Sequence, residues 1–129
     1  MKTGKLVAIV ILLITSSISI DLMAQENILA VVRKAEKIEG VRFDIVRKKN
    51  PETKQLVNEI TSLSFRDNEA LKKEFLDAFE KDRANADNEI EGRNQGVVTE
   101  LMYKFGSTSC AFNIGKNGSV DVAIIVSHK

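Results

Sequence analysis

The patterning of this chain predicts an α+β two-layer sandwich: an antiparallel sheet of about five strands with two helices on one face, in the order αββαβββ. Three observations carry the prediction. Two segments repeat apolar residues at helical spacing, five alternate apolar and polar residues with period two, and tight-turn signals join the last three strands. Helices over one face of an antiparallel sheet bury both kinds of stripe at once.

Residues 1–24 read as an export leader. Lys2 and Lys5 supply the charged start, Leu6 to Ile14 is an unbroken apolar run, and Ala24 offers a small residue for a peptidase cut. The run is shorter than the roughly 20 apolar residues that span a bilayer, so removal is expected rather than retention as an anchor. The only cysteine, Cys110, is too far from the cut to receive a lipid. The expectation is a single domain over 25–129, exported to the periplasm or to the outer surface of a Gram-negative cell, with no stable membrane insertion.

Of 129 residues, removing 24 leaves 105, which suits one core and no second domain. Without Lys2, Lys5 and Asp21 the chain carries 17 basic and 17 acidic residues. A neutral chain has no global field drawing it to nucleic acid, so no nucleic-acid partner is expected. One cysteine makes no internal disulfide. Cys110 falls in the apolar pattern Cys110, Phe112, Ile114 and is read as a buried small hydrophobe.

The elements follow in order. Glu26 to Ile38 is an amphipathic helix with Ile28, Val31, Val32, Ala35 and Ile38 on one side, closed at Gly40 by a left-handed residue. Val41 to Arg47 is a half-buried strand, and the polar Lys48–Thr53 a turn. Leu56 to Phe65 is a second strand in which Ile60 falls out of phase, as a bulge near Glu59 would explain. Asp67 is the expected N-cap of a helix from Asn68 to about Ala86. Leu71, Phe75, Ala78 and Phe79 form its stripe, and Glu69–Lys73 and Asp77–Lys81 its i,i+4 pairs. Polar Asp87 to Gly96 reads as a linker. Val97–Phe105, Ser109–Ile114 and Val120–Val126 are the closing strands, the last two joined by Asn117-Gly118, a type I′ signal.

Enzyme signatures are sparse. His128 is the only histidine and lies beside the C-terminus, which removes triad chemistry and the commonest metal ligand. Glu59, Glu100 and Asp121 are the candidates for a carboxylate pair, and Asp82, Asp87, Glu89 and Glu91 form an acidic cluster whose spacing fits no calcium loop. No cofactor or metal is expected. Arg47, Lys48, Lys49 and Lys54 gather positive charge at the first hairpin tip, where a small anionic ligand or polyanion is the candidate occupant. Val98, Met102, Ala123 and Ile125 fall opposite the core-facing residues of their strands. They are the candidate interface for a protein partner or a second copy, through the open sheet face or a strand edge. The first expectation is therefore a non-enzymatic interaction module, and the second a small-ligand or polyanion binder.

Four stretches carry a resemblance: Met23-Ala24-Gln25, Ala35–Val41, Ser64–Leu71 leading into Phe75 and Phe79, and Tyr103-Lys104-Phe105-Gly106. On these the chain resembles a group of small secreted proteins of unknown function from Bacteroides-type bacteria. The resemblance implies a periplasmic or outer-surface location and a two-layer α/β fold, and it transfers no catalytic residue.

Overall fold

The computed structural model describes residues 24–128, so the export leader expected over 1–24 lies outside the described residues apart from Ala24. Helix α1 spans Glu26–Glu36, β1 Arg42–Lys49, β2 Leu56–Phe65 and α2 Glu69–Asp82, followed by one 3-10 turn at Arg83–Asn85. Strands β3 (Asn88–Asn94), β4 (Val97–Phe105), β5 (Thr108–Ile114) and β6 (Val120–Ser127) complete the chain. They form one antiparallel sheet in the order β1-β2-β6-β5-β4-β3. The chain crosses from β2 through α2 to the far edge, then meanders back until β6 seals against β2.

The architecture is the expected α+β sandwich, but the sheet has six strands rather than five and the order is αββαββββ. The additional strand, β3, occupies the segment read as a linker. It is an edge strand with every residue but Gly92 exposed. Its cohesion comes from backbone pairing to β4, which leaves no apolar alternation to read. Gln95 and Gly96 make the two-residue turn between these strands, both with positive φ (54° and 82°). That pair fits the type I′ geometry expected at Asn117-Gly118. There Gly118 alone has positive φ, and Gly115–Ser119 form a longer loop in which the Asn117 side chain accepts from Ser119 N and Oγ.

Both helices cover one face. Ile28, Val32 and Ala35 of α1 and Leu71, Phe75, Ala78 and Phe79 of α2 pack against Leu63, Phe65, Leu101, Tyr103, Phe105, Cys110, Phe112, Val120, Val122 and Ile124. Phe79 is the hub, with its ring centroid 5.6 Å from Tyr103 and 5.8 Å from Phe112. Cys110 is buried, as its pattern implied. Among the described residues no helix is long and apolar enough to cross a membrane.

The helix ends differ from expectation in instructive ways. Asn68, not Asp67, caps α2: its Oδ1 accepts from Leu71 N at 3.0 Å, while Asp67 holds a left-handed φ of 57° outside the helix. The α2 surface pairs are Lys72–Glu69 and Lys73–Asp77. At α1 the N-cap residue, Gln25, makes no side-chain cap bond. The cap comes from Asp82, whose carboxylate accepts from the backbone N–H groups of Asn27 (3.4 Å) and Ile28 (2.8 Å) and from Asn27 Nδ2 (2.7 Å). One helix ends where it can satisfy the start of the other.

Candidate functional site: the open sheet face

The face away from the helices is built by strand alternation, and its rows follow from the register. One row runs Val46–Ile60–Ile125–Ser109–Lys104–Asn88 from edge to edge. The next runs Asp44–Ser62–Ala123–Ala111–Met102–Ile90, and a third Arg42–Ser64–Asp121–Asn113–Glu100–Gly92. An apolar band therefore crosses the sheet between two rims bearing charge. Val46, Ile90 and Met102 are 57%, 58% and 39% exposed, whereas Ile60, Ile125, Ala111 and Ala123 are half-buried by their neighbours.

Small side chains occupy the centre. Ser62, Ser64, Ala111 and Ala123 floor a shallow depression of about 380 Å³, bounded by Arg42, Asp44, Asn113 and Asp121. Arg42 lies 3.7 Å from Asp44, so those two rim charges offset each other. Beside it, Ile90, Met102, Lys104, Asn88 and Ser109 line a second depression of about 330 Å³.

Three of the four candidate interface residues share this face: Met102 opposes Ala111, which opposes Ala123, and Ile125 lies in the adjoining row. Val98 does not. Gly92 pairs with Glu100 and Arg93 with Val98, which leaves Thr99 as an extra residue. This bulge reverses the phase of β4 at its start and turns Val98 into the core beside Leu101 and Ile114. The same kind of irregularity explains β2. Lys48 pairs with Asn58 and Lys49 with Leu56, so the extra residue is Val57 rather than one near Glu59. Ile60 is out of phase because it belongs to the open face. Pattern reading missed Val46, Ile60 and Ile90, although each carried a signal: an apolar residue breaking the local alternation.

The other candidates are dispersed. Arg47 pairs with Glu59 at 2.7 Å on the helix side, while Lys48 opposes Asn58 in the opposite phase, so the basic hairpin tip divides its charge between two faces. Lys49 and Lys54 are exposed beyond it. Glu59 is separated by the sheet from Glu100 and Asp121, so these three carboxylates do not make one site. Of the acidic cluster, Asp82 caps α1, and the Asp87 carboxylate accepts from Gly106 N at 2.7 Å. Glu89 pairs with Arg83, and Glu91 with Arg93. The Glu89 carboxylate also holds the Arg83 guanidinium above its ordinary value, through the hydrogen bond first and its charge second. Among the described residues no three His, Cys, Asp or Glu side chains gather as a metal site.

The chain belongs to a family described as a domain of unknown function (DUF5024), whose model matches residues 25–126. No curated protein matches it.

Proposed function

We propose that this chain is an exported, non-enzymatic interaction module that binds protein through the open face of its sheet. The observation that supports the reading is the apolar band itself. Val46, Ile60, Ile125, Ala123, Ala111, Met102 and Ile90 form a continuous stripe across all six strands, on the face the helices leave bare. Isolated exposed apolar residues are ordinary on a soluble domain, whereas a contiguous band rimmed by charge and polar groups is the composition of an interface. The small floor residues favour the reading further, since they let another backbone approach closely. Export is inferred from the leader pattern of residues 1–24.

Met102→Glu tests the proposal. It places a charge in the middle of the band on a residue that carries no core packing. Association measured by light scattering after size exclusion should weaken more than about tenfold, with unchanged circular dichroism. Association that survives the substitution overturns the reading.

A further inference from the structure

We infer that Gln25 is a modification site: removal of residues 1–24 makes it the N-terminus, and its amino group then closes on its own side-chain amide to give pyroglutamate. This rests on the export reading, and within it on cleavage directly after Ala24.

The Gln25 side chain is the feature that calls for an explanation. The residue is fully buried, yet neither Oε1 nor Nε2 has a hydrogen-bond partner. Among the described residues no other buried side-chain polar atom is orphaned in this way. A primary amide brings two donors and an acceptor oxygen, and burying all of them unpaired is costly. A folded chain keeps such a group only where something besides packing accounts for it. The position supplies that account. Gln25 directly follows the small residue of the expected cut, and the family match also begins at residue 25.

While Ala24 is attached, the nitrogen of Gln25 is a neutral amide. Cleavage turns it into an ammonium, on a buried residue, at the end of α1 where the helix dipole is positive. Asp82, the acid beside this helix start, is already engaged by the N–H groups of Asn27 and Ile28 and by Asn27 Nδ2.

Ring closure removes both the charge and the orphaned donors. The amino nitrogen attacks Cδ, the N–Cδ bond forms and the Cδ–Nε2 bond breaks. Nε2 leaves as ammonia, carrying one proton from the amine, and the N-terminal nitrogen is again a neutral amide. Nucleophile and electrophile belong to one residue, so burial does not bar the step and no co-reactant is needed. An α-amino group titrates at about 8, which leaves a reactive uncharged fraction near neutral pH. The main-chain carbonyl of Gln25, which accepts from Leu29 N at 3.0 Å, takes no part, so α1 keeps its first turn.

The test is intact-mass spectrometry and N-terminal sequencing of the protein freshly exported from the full chain. The expected product starts at residue 25, weighs one ammonia less than the unmodified chain, and resists sequential degradation until a pyroglutamyl peptidase is applied after denaturation. A chain that starts at Gln25 with a free amine and its full mass overturns the inference and leaves export standing. A chain that starts elsewhere, or is not cut, overturns the placement of the cut and the inference with it. Gln25→Asn supplies the second measurement, because its ring would have four members and does not close. That variant should keep a free amine and unfold at lower urea than the cyclised protein. Equal midpoints overturn the claim that the buried site favours the lactam.

Discussion

Asp82 accepts a 2.8 Å hydrogen bond from the backbone N–H of Ile28, so the last residue of one helix caps the first turn of another 54 positions away. Its carboxylate reaches the second and third N–H groups of α1, the same donors a local Ser or Asp cap would satisfy. Asp82 is 1% exposed, so the bonds form out of competition with water, and they tie together the two helices that form one layer.

Asp82→Ala should therefore lower unfolding stability by about 2 kcal/mol, combining a lost cap with buried N–H groups left unpaired. Asp82→Asn keeps an acceptor without its charge and should fall between the two. Urea unfolding followed by circular dichroism gives the order, and an Asp82→Ala midpoint equal to that of the unaltered protein contradicts the capping role.

The Cys110 thiol is pushed up to about 12 from its ordinary 9.0, by burial and secondarily by the negative charge of Asp82. Above pH 9 an unfolded chain releases this proton while the folded one retains it. Cysteine thus makes stability fall as pH rises from about 9 towards 12, by up to about 1.4 kcal/mol per pH unit. Comparing the urea midpoints of the unaltered protein and Cys110→Ala at several alkaline pH values isolates this dependence: the gap should shift against the cysteine form as pH rises. A thiol reagent should label Cys110 only after denaturation, and reductant should leave the oligomeric state unchanged.

Phe79 joins α2 to the sheet through Tyr103 and Phe112 and has no exposed surface. Phe79→Ala should cost about 3–5 kcal/mol, a large part of the roughly 5–15 kcal/mol that holds a domain of this size together. Thermal unfolding should reveal a much lower midpoint or an unfolded chain. A midpoint within a few degrees of the original would contradict the packing role.

Gln95 occupies a left-handed conformation at φ 54° in the β3–β4 turn, where a glutamine gains nothing and an asparagine is at home. Gln95→Asn should stabilise the protein by about 0.5 kcal/mol, seen as a rise of about 2–4 °C in the melting midpoint.

Much of the fold was legible in the sequence because burial on one side leaves a period. Both helices, β1, β2 and the last three strands announce themselves that way. Strand β3 does not, because an edge strand with Asn88, Ile90 and Arg93 all exposed buries almost nothing to create an alternation. The face of Val98 was illegible for a different reason: the bulge at Thr99 is a relationship between β4 and β3, and neither strand records it alone. Met102, Ala123 and Ile125 could be placed together because their strands run unbroken across the centre of the sheet. Asp82 read as part of an acidic surface because a charge's partner 54 residues away leaves no local trace.

The sheet is sealed in its middle by β6, Val120–Ser127, which lies between β2 and β5. Until those eight residues arrive, β2 and β5 are both raw edges and the sheet is two separate pieces, one hairpin and one three-stranded meander. A chain emerging from its N-terminus therefore cannot lock its native topology early, however well its helices and hairpins form on the way. The pairing of β6 with β2, across the crossover through α2, is thus the step that joins the two pieces, and it comes after every other described strand of the sheet has been made.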